Sequence, residues 1–301
     1  MMRIQRVSSK WAKTEVILQS RSLSLYIPDT RKYSFDTLKE LLGLYSMVYI
    51  KPDRGTYGSG VMRAEQRTVN LRPSLHPGSE EHATDTNGGV EKAIEEQVIY
   101  ILRYGKGAEV FTTPELLHEA LLQRIQNRVY LIQKGIDLLQ HKKRPFDLRV
   151  LTQKTPAGTW ETTGMLGRVA APRKIVTNYH SGGSIYTVRT LFKEHMNAAE
   201  AAAAINHLRV LGVQIARQLE TAYPRIKEIG LDVALDHHHN LWVLEVNTLP
   251  AIVVFNIFRN KSIYRRIHRY ATAYGRLKAT KISAFPHRRK QKQKQKSRAC
   301  K

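Results

Sequence analysis

Three polar side chains late in the chain, Asp232, Glu245 and Asn247, have the chemistry of a hard-oxygen cation site. They lie in two apolar segments, GLDVALD and LWVLEVN, separated by HHHN. On an extended strand residues i and i+2 share a face, so Glu245 and Asn247 project together while Val246 points to the core. Asp232 reaches that face when the two segments pair as a hairpin. Two carboxylates and an amide oxygen suit Mg2+ bridging phosphates. The competing reading is three polar residues on a solvated sheet face, but acids set in such apolar surroundings need partners.

A second constellation begins at Lys51, which closes the apolar run MVYIKP and is followed at once by DRGTYGSG. Gly55, Gly58 and Gly60 let backbone N–H groups approach phosphate oxygens, and the lysine supplies a point charge. No GxxxxGK[ST] and no helix-opening GxGxxG is present, so a plain hairpin turn stays open beside the phosphate reading. The segment LIQKGI, with Gln133, Lys134, Gly135 and Ile136, ends a strand whose backbone groups can pair with an adenine edge. Asp147 and Arg149 alternate on FDLRV and face one side. Arg149 there can contact phosphate or stabilise a transferred phosphoryl group; alternatively the two form a surface ion pair worth about 0–1 kcal/mol. Asn178 lies with Gly182 and Gly183 in a polar loop. His237 to His239 imitate a metal tract, but their place between two strands reads as a solvated turn.

These residues need a frame. Apolar spacing predicts helices over 10–20, 35–45, 114–126, 194–223 and 256–280, and strands over 47–52, 97–104, 146–153, 159–172, 229–236 and 241–247, with another beginning at 129. Residues from 61 read as a hairpin or strand pair, and 73–89 as a polar surface loop. Strands and helices mix without a βαβ rhythm, so the class expected is α+β. No internal repeat is visible.

The composition bounds the partners. The 301 residues carry 49 Lys and Arg against 25 Asp and Glu, a formal net charge of +24. The stretch His287 to Lys301 contains eight Lys or Arg and no acid. Such a surface attracts nucleic acid, anionic lipid or acidic polymer, or is an incidental solvated tail. No helix-turn-helix, zinc-finger or RRM signature accompanies it. The single cysteine, Cys300, excludes an intramolecular disulfide and a cysteine metal cluster and fits a reducing, cytoplasmic setting. No apolar run approaches the ~20 residues of a membrane span, and MMRIQRVSSKW has no apolar segment of a signal peptide.

In order and spacing these pieces resemble ATP-grasp enzymes, and more narrowly the spore-coat-associated YheC/YheD-type ATP-grasp proteins. The carriers are YIPDT, YIKPDRGTYGSGVMR, YLIQKGIDLL, RPFDLRVLTQ, WETTGMLGRVAAP, IVTNYHSGG and GLDVALDHHHNLWVLEVNTLP. The resemblance implies an ATP-grasp fold, two α+β subdomains clasping ATP. Residues 46–128 would form the small subdomain and 129–280 the large one with the Mg2+ site. A short segment, 1–45, would precede them and a disordered basic tail, 281–301, would follow. Lys51 would contact the α- and β-phosphates, Lys13 or Lys10 would support the nucleotide from the other side, and the 55–60 loop would cover the phosphates. Gln133 to Ile136 would line the adenine hinge, and Asp147 and Asn178 would contact the nucleotide as in the related ribosomal-protein glutamate ligases. Asp232, Glu245 and Asn247 would hold one or two Mg2+, with Glu245 bridging. Three departures stand out. Val176 replaces an arginine two before the asparagine, Ala251 replaces a common glycine, and the segment before Lys51 is too short for the usual preceding domain, so part of the substrate cleft is expected to be missing or supplied by a partner.

The activity this implies is an ATP-dependent carboxylate–amine ligase acting through an acylphosphate, with Arg149 and Arg173 stabilising the transferred group. The carboxylate and amine are unnamed by the sequence; the basic body favours an acidic peptide. The alternative is a non-catalytic nucleotide-binding protein of the spore coat, attached through its basic tail to a coat partner or polyanion. A nucleic-acid-associated protein is a third reading, carried by charge alone.

Overall fold

The computed structural model describes residues 4–56, 58–71, 95–172, 177 and 182–278. The polar loop 73–89, the tail from 279, Arg173, Val176 and Asn178 lie outside the described residues.

The chain opens with helices α1 (Lys10–Leu18) and α2 (Arg21–Ser24). A first sheet follows, built from β1 (Thr30–Lys32), β2 (Met47–Pro52), β3 (Met62–Leu71), β4 (Glu95–Tyr104), β5 (Gly107–Phe111) and β6 (Tyr130–Lys134), in the order β1-β6-β2-β3-β4-β5. Helices α3 (Phe35–Tyr45) and α4 (Pro114–Ile125) cover one of its faces. Period-two alternation divides the strands cleanly. Val48 and Ile50 on β2 and Tyr130 and Ile132 on β6 pack with Leu38, Leu41, Leu117 and Leu121 of the helices. Each fully buried leucine there contributes about 1.5–3 kcal/mol by leaving water. The intervening residues, Tyr49, Lys51 and Gln133, face the other way, into a cleft. Both helices start where the sequence supplies a cap. Ser34 accepts from the Thr37 N–H and Thr37 returns a bond to Ser34, while Thr113 caps a helix that has Pro114 in its first turn.

The second sheet is built from β7 (Gln140–His141), β8 (Arg144–Lys154), β9 (Trp160–Val169), β10 (Ser184–Tyr186), β11 (Glu228–Leu235) and β12 (Leu241–Asn247). Its order is β10-β9-β8-β11-β12, with β7 on β8. Short α5 (Val188–Phe192) and the long α6 (Ala198–Ala222) cover one face together with α1. Phe146, Leu148 and Val150 of β8 and Ile229, Leu231 and Val233 of β11 point to these helices. Asp147, Arg149 and Asp232 alternate with them onto the cleft face. A 3-10 turn (Val253–Ile257) and α7 (Ser262–Ala273) close the far end of that face over Leu151 and Leu166.

Every strand pairing among the described residues is antiparallel, which is the α+β class expected. Several elements differ from expectation. Residues 62–71 are one long strand pairing with β4 rather than a hairpin, and β5 is an additional strand. Residues 130–134, expected with the second unit, pair with β1 and β2 in the first sheet. The expected helix over 194–223 starts at Ala198, because Asn197 accepts from the Ala199 and Glu200 N–H groups and Glu200 bonds back to Asn197. The expected helix over 256–280 is confined to Ser262–Ala273, with Asn260 accepting from the Ser262 N–H.

Candidate functional site

The open faces of the two sheets enclose a cleft of about 420 Å3. Its geometry on the second sheet follows from register. Asp232 on β11 lies directly across from Arg149 on β8 and from Glu245 on β12. Asp147 lies across from Arg168 on β9. The four central charges form one chain of contacts. Arg168 donates from Nε to Asp147 Oδ1 at 2.8 Å and from Nη2 to Asp147 Oδ2 at 2.5 Å, and its Nη2 is 3.1 Å from Asp232 Oδ2. Arg149 Nε donates to Asp232 Oδ1 at 2.6 Å. Burial alone would push the Asp232 carboxyl up, but Arg149 and Arg168 outweigh it and hold it below the usual carboxylate range.

A bulge on β12 shapes the next part of the site. Asp232 pairs with Glu245 and Val233 with Val243, which leaves Leu244 as the extra residue. Val243 and Val246 both reach the core, three residues apart rather than two, so Glu245 and Asn247 are returned together to the cleft. The bulge also turns the Leu244 carbonyl toward the first sheet, where it accepts from Lys51 Nζ at 2.8 Å.

Three lysines converge from the other side. Lys51 Nζ also donates to Gln133 Oε1 at 2.8 Å, and Gln133 passes the orientation on by donating to Thr30 Oγ1 at 2.7 Å. Lys10 Nζ donates to the Pro52 carbonyl at 3.0 Å and the Gly55 carbonyl at 3.3 Å, and lies 3.8 Å from Glu245 Oε1. Lys13 Nζ donates to the Val7 carbonyl at 3.2 Å. Asp53 fixes α1 against the glycine loop by accepting from Ser9 Oγ and the Trp11 N–H. Burial lowers Lys13 and Lys51 to about 8, with the Glu245 carboxylate opposing the fall in both. Both of the alternatives weighed for the early lysine, Lys10 and Lys13, therefore line the cleft.

Of the residues singled out in sequence, Lys13, Lys51, Gly55, Gly58, Gln133, Lys134, Ile136, Asp147, Arg149, Asp232, Glu245 and Asn247 line this one cleft. Gly60 and Gly135 are not among its lining residues. Gly135 is glycine for a packing reason: a Cβ there would stand 2.5 Å from Met47 Cε and 2.9 Å from the Met47 carbonyl oxygen. Its N–H donates to that carbonyl, and the Lys134 N–H donates to Asp29, so neither is offered to a ligand at the hinge. His237 to His239 are exposed in a turn that Asp236 organises by accepting from the His238 and Asn240 N–H groups. Arg168 escaped the sequence reading. Its one signal is a lone charge in the apolar strand GMLGRVA, and only register reveals that it stands opposite Asp147.

No group of three or more His, Cys, Asp or Glu positioned to hold a metal occurs among the described residues. Mg2+, however, takes one or two carboxylates and completes its shell with phosphates and water. Asp232, Glu245 and Asn247 supply that donor set. Among the described residues Glu245 has one ion pair, the 3.8 Å approach of Lys10, and each Asp232 oxygen keeps a lone pair beyond its arginine bond.

Two antiparallel sheets, each backed by helices and clasping a cleft with lysines on one side and carboxylates on the other, have the architecture of an ATP-grasp protein. The family described as YheC/D like ATP-grasp matches residues 4–277, and the chain belongs to that family. It is 26% identical over 255 residues to the endospore coat-associated protein YheD of Bacillus subtilis (strain 168), covering 82% of this chain and 49% of that protein. It is 21% identical over 242 residues to the endospore coat-associated protein YheC of the same organism, covering 80% and 59%. The chain thus spans about half the length of the first of these relatives and under two thirds of the second. Among solved structures, D-cycloserine synthetase DcsG is similar over 89% of this chain and 70% of its own, with 8% identity and a TM-score of 0.48. No helix among the described residues is long and apolar enough to cross a membrane.

Proposed function

We propose that the cleft binds Mg-ATP and that the chain is an ATP-dependent carboxylate–amine ligase. The observation that carries this reading is the opposed charge arrangement: Lys10, Lys13, Lys51, Arg149 and Arg168 surround Asp147, Asp232 and Glu245, leaving an excess of positive charge suited to a polyphosphate. Lys51 and the early lysines hold the phosphates, and the loop bearing Gly55 and Gly58, both at positive φ, lets backbone approach them. Gln133 and Ile136 bound the adenine end. Asp232, Glu245 and Asn247 would hold Mg2+, which supplies charge compensation for the triphosphate. Arg149, with Arg173 from outside the described residues, offsets negative charge as the γ-phosphoryl group moves to a substrate carboxylate and ADP leaves. An amine then attacks the acyl carbon, phosphate departs, the amine loses a proton, and an amide results. Asn178 is assigned a nucleotide contact on the family pattern.

A second reading keeps the nucleotide site without turnover, in a protein of the spore coat. It is favoured by the internal engagement of Asp232, both of whose oxygens meet arginines, and by the coat association in the names of the two relatives.

The test is thermal shift with ATP, with and without Mg2+, on the native chain and on Glu245→Gln and Lys51→Met. A ligand binding only the folded state raises the melting temperature by mass action. A Mg2+-dependent rise that is lost in both variants supports the site, and ADP release with mixed amines and acidic peptides then separates ligase from silent binder. No rise at any ATP concentration overturns the nucleotide reading.

A further inference from the structure

The cleft face of the first sheet continues outward past the lysines and carries a second cationic group there. Cross-strand register sets Gln133, Tyr49, Arg63 and Arg103 in one row across β6, β2, β3 and β4. Glu65, two residues beyond Arg63, is ringed by three arginines. Arg63 Nη2 is 2.6 Å from Glu65 Oε1, Arg67 donates to Oε2 from Nε at 3.1 Å and Nη2 at 2.6 Å, and Arg103 Nε donates to Oε1 at 3.2 Å. Glu65 is only 5% exposed, whereas the side chains of Arg67 and Arg103 are 56% and 37% exposed.

Support of the sheet does not account for this arrangement. One arginine would neutralise Glu65; three leave an excess of two positive charges. Arg63 and Arg103 face each other directly across β3 and β4, a like-charge register that costs a sheet stability. Arg63 Nε is buried with no hydrogen-bond partner among the described residues. Glu65 acts as an anchor that draws three guanidinium forks together while the Arg67 and Arg103 side chains stay exposed. Planar forks match carboxylates bidentately. The next row holds Ile101 and, across from it on β5, Val110, which is 61% exposed. The exposed apolar neighbour is thus aliphatic, while the aromatic beside Arg63, Tyr49, lines the cleft; single-stranded nucleic acid would be met by exposed aromatic stacking platforms instead.

We infer that Arg63, Arg67 and Arg103, gathered by Glu65, form a docking site for an acidic polypeptide on the outer part of the first sheet. The site needs no nucleotide and no turnover, so it stands or falls separately from the ligase reading.

The test uses the full chain, a fluorescein-labelled hexaglutamate peptide, and anisotropy at about 0.15 M salt, where distant charges are largely screened. Two doubly substituted variants each lose two positive charges: Arg67→Gln with Arg103→Gln at the site, and Arg265→Gln with Arg269→Gln on the exposed face of α7. The site pair is expected to weaken the peptide about tenfold, which is about 1.4 kcal/mol. The α7 pair is expected to change it less than about twofold, because those arginines are exposed and remote in the fold from the cluster. Equal losses in the two pairs would mean a general positive field and would overturn the site. Stronger competition by an oligothymidylate than by unlabelled hexaglutamate would overturn the peptide assignment. Should the site pair fail to fold, Arg67→Glu alone, at an exposed position, must still weaken the peptide, and an unchanged affinity there also overturns the proposal.

Discussion

Replacing Arg168 with methionine isolates the charge chain at the floor of the cleft. Arg168 is 6% exposed and gives two hydrogen bonds to Asp147 and a 3.1 Å contact to Asp232. Without it Asp232 keeps Arg149, while Asp147 is left with no guanidinium among the described residues. Truncating one partner of a buried pair costs about 3–5 kcal/mol, because an uncompensated charge is left in a poor solvent. The sign of the pH dependence follows. Asp232 in the native protein is held low by Arg149 and Arg168 against burial, so it contributes stability above its unfolded pKa and loses it as pH falls. In Arg168→Met one of the two guanidiniums that hold Asp232 low is gone, so its carboxyl rises from its native value. The folded variant then takes up a proton at Asp232 at higher pH than the native protein does, so the native protein loses more of its stability on acidification and the deficit narrows as pH falls. Urea denaturation at neutral pH should show the full deficit, and at a pH near the unfolded carboxylate value of about 4 a markedly smaller one. The double variant Asp147→Leu with Arg168→Met should recover much of the loss. A deficit below about 1 kcal/mol at neutral pH, the size of an exposed pair, or one that does not change with pH, would refute the buried-charge account.

Two further outcomes are expected. Burial brings Lys13 and Lys51 to about 8, and a polyphosphate prefers both protonated, so ATP affinity should fall by about tenfold or more between pH 7 and 9, with proton uptake on binding above pH 8 visible by calorimetry in buffers of different ionisation enthalpy. An affinity flat over that range would remove these lysines from phosphate contact. Gly135→Ala drives a methyl to within 2.9 Å of the Met47 carbonyl oxygen and should cost about 1–3 kcal/mol in urea denaturation without altering the charged groups of the cleft.

Much of this was legible because apolar alternation is a local signal. VLEVN announces that Glu245 and Asn247 share a face, and FDLRV does the same for Asp147 and Arg149. What was illegible depends on pairing between distant segments. Nothing in GMLGRVA says that Arg168 will stand opposite Asp147, since a register one residue different would turn it into the helices. The bulge at Leu244 is hidden for the same reason: its sign is the spacing of Val243 and Val246, which has meaning only once Asp232 and Val233 are known to pair across it. Gly135 reads as a hinge contact because LIQKGI ends a strand and matches the family's adenine segment, whereas its identity is dictated by Met47 on a strand more than eighty residues earlier. The helix over 256–280 was overdrawn because a basic, helix-compatible composition does not reveal where Val253–Ile257 tightens into a 3-10 turn.

The bond from Lys51 to the Leu244 carbonyl joins a strand of one sheet to a strand of the other. It is a rivet between the two lobes, and its head is the same ammonium that the cleft would present to an anion. Anything negative enough to claim that ammonium competes with the protein's own backbone, and on winning it removes one of the contacts that join the lobes. Filling the cleft and giving up this contact are therefore events on one nitrogen, while the Lys134 ammonium over the Trp242 ring also crosses between the two sheets.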